Sequence, residues 1–436
     1  MNRQASGIVE IALPTQQLTP ADHARFIEVP FELPADAESL VVRCSVPGQD
    51  HAGALVDLGL RDPDQIRGWS GGARSELVIS PDWTTPGYLP GALPPGRWAV
   101  LLASNRIPAP GCQAALTVTY TRPSARRADE PGARWLVGDL HMHSVHSDGS
   151  YALAEVIRLC ETAGLDFISI TDHNTISQNT APAPPTTLTC IPGVELTTYR
   201  GHSNLLGVTA PVADFRVSSQ AELDERLAYA RQQGARIVLN HPFDPGCGWQ
   251  WDWQVDYDWF EVWNGPWRES NQQALDWWQA QLAAGRRLTA VAGSDTHRPH
   301  QYVKHGYPSS WVYSASRAAD DILAAIAAGH LVLSYAPDGP RIELCCEQFM
   351  VGDVVPAELE QLSMTLRVTQ LAAGDTVKII SEQGVEREQP IAAGASELEL
   401  SWIAESRRFY RVEIWRYFPQ VSQMLVAALS NPIYFA

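Results

Sequence analysis

A chain of 436 residues is too long for one ordinary core, so two or three domains are expected. With 45% hydrophobic and 19% charged residues it reads as a soluble globular protein; no apolar run approaches the ~18 residues of a membrane helix, and the opening MNRQASGIVEIALPTQQ lacks a secretory signal's apolar core, so a cytoplasmic setting is expected. Acidic residues outnumber basic ones 49 to 32, a net charge of −17, which speaks against nucleic acid as a partner but not against a small phosphorylated substrate, because bound metal reverses the local sign.

Residues 1–120 read as all-β. Short alternating segments recur at Gly7–Leu13, Leu40–Cys44, Ser75–Ile79, Arg97–Ala103 and Ala114–Tyr120, separated by turn-rich text such as PGQD and TTPGYLPGALPPG. A β-sandwich is the predicted outcome. Residues 121–134, TRPSARRADEPGAR, read as a linker. From 135 to about 340 the texture changes to strands alternating with helices. Helical spacing at Ala152–Ala163, Ala221–Gln233, Asn271–Ala284 and Asp320–Ala328 is followed each time by a strand: FISIT (167–171), RIVLN (236–240), LTAVAG (288–293) and LVLS (331–334). This repetition predicts an α/β region with a parallel sheet or barrel. Residues 341–436 return to strands, at Leu362–Val368, Thr376–Ile380, Glu397–Trp402 and Phe409–Trp415, and read as a small C-terminal β-domain. The seven cysteines are odd in number and form no CxxC pair, which speaks against a disulfide framework and a thiolate zinc cluster; Cys247, beside glycines and tryptophans, is the hardest of them to read as a simple buried hydrophobe.

Ligand-type residues gather where the central strands end. His141 and His143 follow the first strand at i and i+2, and so face one side. Asp148 lies in the next loop, Asp172-His173 closes FISITDH, and Glu195 ends IPGVE. His202 sits in GHSNLLG, His241 closes RIVLNHP, and Asp295 and His297 follow AVAG. Strand C-termini are where active sites of parallel α/β folds assemble, and imidazole with carboxylate suits Zn, Mn or Fe. Each piece alone has a plainer reading: an Asp beside a His caps a turn, and His202 is as well explained as a surface histidine. The recurrence at five strand ends is what points to metal. Asp172 and His173 face opposite ways on a regular strand, so His173 is taken as the ligand and Asp172 as a residue orienting a neighbour.

The ordered elements DLHMHSVHSDG, TDHN, PGVE, GH, NHP and GSDTH resemble the motifs of the PHP family, the polymerase and histidinol phosphatase metallohydrolases, over residues 135–335. RGWSGGARSEL (67–77), TPGYLPGALPPGRW (85–98) and SNPIY (430–434) are similar to the branch that includes the carbaryl (carbamate ester) hydrolases. The resemblance implies a distorted (β/α)7 barrel, here flanked by the β-sandwich and the C-terminal β-domain. It implies two to three divalent transition ions: one held by His141, His143, Glu195 and Asp295, a second by Asp148, His173 and His297, and a third by Glu195, His202 and His241.

Such a centre implies hydrolysis by a hydroxide bridging the ions. The first reading is a phosphoesterase acting on a small phosphomonoester or phosphodiester, with Arg200 and Arg298, each beside a motif, meeting the phosphate. The alternative is hydrolysis of a carbamate, carboxylic ester or amide of an aromatic substrate. The third is a metal-containing binding protein or sensor. His146 is left over, as a donor behind a ligand, a proton carrier or polar filler. Trp249, Trp251 and Trp253 alternate with polar residues just after His241; if extended they share a face and wall a substrate pocket, and otherwise they pack.

Overall fold

The computed structural model describes residues 8–46, 53–81, 83–122, 132–181, 183–184, 186–359 and 361–436, so most of the expected linker lies outside the described residues. The central region is built on ten strands in two sheets. In the first, β1 (Arg134–Asp139) pairs in parallel with β2 (Phe167–Ile168), and β2 with β3 (Thr189–Cys190). The second holds β4 (Gly193–Thr198), β5 (Gly201–Leu206), β6 (Arg236–Leu239), β7 (Trp259–Asn264) and β8 (Thr289–Gly293) in that order. On the far side of β1, β9 (Ser309–Ser314) and β10 (Leu331–Ser334) follow antiparallel.

The elements form for readable reasons. β7 is WFEVWN, in which Trp259, Phe260, Val262 and Trp263 are aromatic or β-branched residues that suit a pleated sheet, and all six residues are buried. Helix α1 (Leu153–Thr162) buries Val156, Ile157, Leu159 and Cys160 at helical spacing. Helix α2 (Gln220–Gln232) starts on a capping box, with Ser219 Oγ accepting from Glu222 N at 3.3 Å and the Glu222 carboxylate accepting from Ser219 N at 3.2 Å. Helices α3 (Glu269–Ala283) and α4 (Ala319–Ala327) precede β8 and β10.

The sheets are not the expected closed parallel barrel. In the second sheet β5 runs antiparallel to both β4 and β6, and within it only the neighbours β6, β7 and β8 pair in parallel. No continuous ladder joins the two sheets. Two isolated parallel bridges do, Met142 with Thr296 and His173 with Glu195, and both lie at the strand ends that carry the ligand-type residues. The physical reason is a tight turn: β4 leads to β5 through Tyr199-Arg200 alone, too short for the crossover a parallel pair requires.

The C-terminal strands continue the first sheet. Gln423–Ser430 pairs antiparallel with β10, and then come Phe409–Phe418, Thr376–Ser381 and Gly384–Pro390. A separate sheet orders Phe349–Met350, Arg341–Cys346, Ser363–Thr369 and Glu397–Ile403. The buried side chain of Asn431 reaches back to β8, accepting from Ala290 N at 2.8 Å and donating to Ala290 O at 3.0 Å.

Residues 8–121 form two antiparallel sheets over one core, with Phe31, Leu58, Trp98 and Leu102 of one sheet against Leu40, Val42, Leu77 and Val118 of the other. Val41 and Val78, on the opposite face, join the core that contains Val156 and Ile157 of α1. Among the described residues no helix is long and apolar enough to cross a membrane.

Candidate metal centre

The end of β1 is pinned before its histidines begin. The buried Asp139 carboxylate accepts from the backbone N–H groups of His141 at 3.2 Å, Ser294 at 3.0 Å and Gly306 at 2.7 Å. Burial still pushes its pKa up to about 6. A Cβ at Gly293 would lie 2.2 Å from His141 Cβ, so only glycine lets β8 approach this closely. Three non-glycine residues with positive φ sit at strand ends here: Asn174 (52°), His241 (27°) and Asp295 (51°). Such strained backbone persists where the surroundings over-determine it and clusters at functional sites.

Ligand-type atoms within 4.8 Å of one another form five overlapping groups. They are His141–His143–Glu195, His141–His241–Asp295, His143–Asp148–His173–His297, His173–Glu195–His202 and His202–His241–Cys247. The structure therefore brings all nine expected residues into one cluster and adds Cys247. Glu195 lies at its middle. Its Oε1 is 3.4 Å from His141 Nε2, 3.1 Å from His202 Nδ1 and 3.3 Å from His241 Nε2, and its Oε2 is 3.4 Å from His143 Nε2. Asp295 Oδ1 is 3.4 Å from His141 Nε2 and 3.1 Å from His143 Nε2. Asp148 Oδ1 stands 3.5 Å from His173 Nε2 and 3.3 Å from His297 Nε2.

These approaches do not satisfy the atoms involved. His141 Nε2, both ring nitrogens of His143, Asp295 Oδ1 and Glu195 Oε2, the last in spite of a 2.8 Å approach by His173 Nδ1, are buried with no partner at hydrogen-bonding geometry. Buried polar groups are nearly always paired, so orphans converging from four residues call for a further species. A divalent cation fits: each atom is a lone-pair donor of the kind Zn, Mn or Fe takes.

Electrostatics agree. Burial works against charge on Glu195, yet His141, His173 and His202 hold its carboxyl well below the usual range; Asp295 is likewise depressed, against burial, by His141, His143 and His241. Burial also opposes charge on His141, but Asp295, Glu261 and Glu195 raise its pKa well above the ordinary value. For His143 burial prevails and lowers it. Protonated imidazole supplies the positive charge these carboxylates demand, and a cation would take its place.

Sequence reasoning missed the groups behind the ligands. Glu261, in the middle of β7, accepts from His141 Nδ1–H at 2.8 Å through Oε1 and from His241 N–H at 2.8 Å through Oε2. Asn240 donates to Glu195 Oε1 at 2.8 Å and to Asn204 Oδ1 at 2.9 Å. A carboxylate inside an apolar strand was the available signal for Glu261. Cys247 Sγ lies 3.6 Å from His241 Nδ1 and 3.4 Å from Asp244 Oδ1.

The other expected site residues lie at the margin. Asp172 accepts from Ser144 N at 2.8 Å, Ser144 Oγ at 2.6 Å and Ser147 Oγ at 2.5 Å, fastening the loop between His143 and Asp148. His146 Nδ1 meets Ser177 Oγ at 2.7 Å. Arg200 is turned away from a phosphate-gripping role: it donates to Gln250 O at 2.8 Å and stacks on the Trp251 ring at 4.1 Å. Arg298 is exposed.

The tryptophans do not form the expected wall. Residues 245–257 are turns, bends and irregular backbone rather than a strand, so the strand period that would put alternate positions on one face does not apply. Trp249 and Trp251 are buried in the core, Trp251 donating to Thr198 Oγ1 at 2.8 Å, and Trp253 packs against Phe243 and Trp277. A cavity of about 730 Å³ opens instead beside His202, lined by Asn174, Thr197, Tyr199, Phe215, Val217 and Cys247 among others.

No family model matches the chain, and no curated relative does. Solved structures do match. A two-domain protein from Bacteroides vulgatus, described as containing a predicted PHP-like metal-dependent phosphoesterase, is 18% identical with a TM-score of 0.39, over 68% of this chain and 96% of its own. An amidohydrolase from Chromobacterium violaceum, with sulfate bound and no metal, is 17% identical with a TM-score of 0.29, over 38% of this chain and 89% of its own. A protein from Bifidobacterium adolescentis described as a metal-dependent phosphoesterase is 15% identical with a TM-score of 0.26, over 38% of this chain and 91% of its own. All three scores are low, and the reading of the centre rests on its own residues.

Proposed function

We propose that this protein is a metal-dependent hydrolase of the PHP type, first of all a phosphoesterase acting on a small phosphomonoester or phosphodiester. The observation that carries the reading is the set of buried, unpartnered ligand atoms on His141, His143, Glu195 and Asp295. The two sheets, tacked together by two isolated bridges at the ligand-bearing ends, are read as a distorted barrel opened along two seams.

His141, His143, Glu195 and Asp295 would hold one ion, Asp148, His173 and His297 a second, and His202 and His241 with Glu195 a third. Bound, such ions activate water at neutral pH and offset charge that builds on the substrate's oxygens. The chain's own part is placement. Glu261 and Asn240 fix the ligands they touch, and Asp172 holds the loop that brings Asp148 to His173 and His297. In the reaction the water oxygen bonds to phosphorus, the ester P–O bond breaks, and the departing oxygen leaves as the alcohol with a proton. Arg298, exposed directly after His297, is the cation this reading assigns to an anionic oxygen of the substrate. The net charge of −17 argues against a nucleic-acid substrate.

A second reading, hydrolysis of a carbamate, carboxylic ester or amide of an aromatic group, is favoured by the aromatic residues of the neighbouring cavity. Elemental analysis together with kinetics on para-nitrophenyl phosphate, bis(para-nitrophenyl) phosphate and para-nitrophenyl acetate tests both. Two to three transition ions per chain and turnover of a phosphate ester support the first reading; turnover confined to the acetate supports the second. Less than one ion per chain after metal is supplied, or metal with no turnover, would overturn both.

A further inference from the structure

The strings at 67–77 and 85–98 supply no ligand, yet the fold turns both toward the metal centre. Arg67 is buried and holds the second string in place, its Nε–H donating to Leu89 O at 2.9 Å and its two terminal nitrogens to Ala92 O at 3.0 Å and Gly91 O at 3.2 Å. Thr85, fully buried in that string, donates from Oγ1 to Glu155 of α1 at 2.9 Å, and Arg74 of the first string stands 3.8 Å from the same oxygen. Glu76, on the strand Glu76–Ile79, pairs with Arg43 on the neighbouring strand Ser39–Ser45 and accepts from the Tyr151 hydroxyl at 3.2 Å.

Tyr151 is where this contact meets the ligands. It closes the loop that carries Asp148: its carbonyl accepts from Val145 N–H at 2.9 Å, and within the loop Gly149 N–H donates to Ser144 O at 3.0 Å and Ser150 N–H to His297 O at 2.7 Å. The loop of Asp148 is thus tied to the backbone of His297, and these two residues belong to the same expected ion. Beyond His297 the chain runs on to Gln301, whose Oε1 accepts from Ser45 Oγ at 3.2 Å, and to His305, whose ring meets that of Tyr151 edge to face at 5.1 Å. Burial, aided by the Arg43 guanidinium, pushes the His305 pKa down to about 3, so a neutral ring packs there. Val41 and Val78 already give the N-terminal sheets an apolar contact with α1. Buried polar pairs beside such a contact add little stability over apolar packing, and their best-attested use is to fix register.

We propose that the N-terminal sheets form a seat for the ligands of the second ion: Glu76, paired with Arg43, positions Tyr151, and Tyr151 positions Asp148 and His297. Glu76 and Tyr151 are positioning residues and touch neither ion nor substrate. His141 and Glu195 are held instead by Glu261 and Asn240, from within the central region. Loosening the seat therefore reaches the second ion and spares the ion of His141, His143, Glu195 and Asp295. This assignment rests on the metal-centre reading and deepens it, because it makes residues 8–121 part of the site's construction.

The test uses the full chain, stripped of metal and titrated with zinc. The binding step that Asp148→Asn weakens identifies the second ion. Tyr151→Phe removes only a hydroxyl and Glu76→Gln only a charge; each should weaken that step about fivefold, the worth of one buried hydrogen bond, and leave the step of the first ion within about twofold. The double variant should lose little more than either alone, because both act along one path. Val100→Ala, in the core between the N-terminal sheets and away from the seat, should lower the melting temperature and leave both steps in place. A second step unmoved by Tyr151→Phe, or moved as far by Val100→Ala, would overturn the seat. Less than one zinc per native chain would sink the metal reading instead. The seat is then read from hydrogen exchange at Gly149 and Ser150 in metal-free protein: exchange about fivefold faster in Tyr151→Phe than in the native chain or Val100→Ala supports it, and equal rates in all three overturn it.

Discussion

The ligand cluster has two unlike halves. The inner half, His141, His143 and Glu195, is fully buried, and two of the three are braced by a second buried group, His141 by Glu261 and Glu195 by Asn240. The outer half is Asp148, His173 and His297, on loops, with side chains 56%, 23% and 22% exposed. The difference teaches what the fold has already ordered. Inner ligands lose little freedom when an ion arrives, because packing holds them. Outer ligands must still be ordered, in water that screens their charge. On the proposed metal reading, the inner ion would be held tightly and the outer one would exchange.

The largest effect is expected where the halves meet. Glu195→Gln should remove at least one ion per chain and abolish turnover; full metal content by elemental analysis would show that the halves are not joined through this residue. Trp251→Ala comes next. Trp251 supports the β4–β5 hairpin through Thr198, and its loss should cost about 3–5 kcal/mol of stability, read from denaturant unfolding, with KM for aryl substrates little changed. A tenfold rise in KM at unchanged stability would restore the pocket-wall role. Glu261→Gln should weaken the inner ion by about 10–100-fold and leave the outer one in place. Equal loss of both in a metal titration would dissolve the distinction. Asp148→Asn should weaken only the outer ion, by about tenfold, the scale of a charge pair near water, without lowering the melting temperature of metal-free protein.

The two halves were not equally legible in the sequence. The nine ligand positions were readable because histidine and carboxylate at successive strand ends violate what a core strand otherwise carries. Glu261 was not, since WFEVWN reads as a core strand and its partner His141 lies 120 residues away. Antiparallel β5 and β9 escaped notice because GHSNLL and SSWVYS are half polar, though every serine of SSWVYS is buried. In the N-terminal sheets, Ile27–Leu33 carries Pro30 and Ile66–Gly71 carries two glycines, residues that weaken a strand pattern read without its neighbouring strand. The alternation of Trp249, Trp251 and Trp253 misled for the opposite reason: a period of two implies a shared face only where the backbone is extended. The cavity wall at 214–218 has no periodicity at all, and only the fold around it makes it a wall.

Asn431 bears on when such a centre comes into being. Its side chain closes both backbone groups of Ala290, at 2.8 and 3.0 Å, on the strand that leads to Asp295 and His297. Chains emerge from the ribosome N-terminus first and tend to fold as they emerge. The residues of the centre are therefore all synthesised well before the clamp on β8. Until residue 431 follows, the strand aiming Asp295 at His141 and His143 lacks that support. On the proposed metal reading, a nascent chain at that stage would present its histidines and carboxylates without the clamped arrangement, and selection among metals would wait for residue 431.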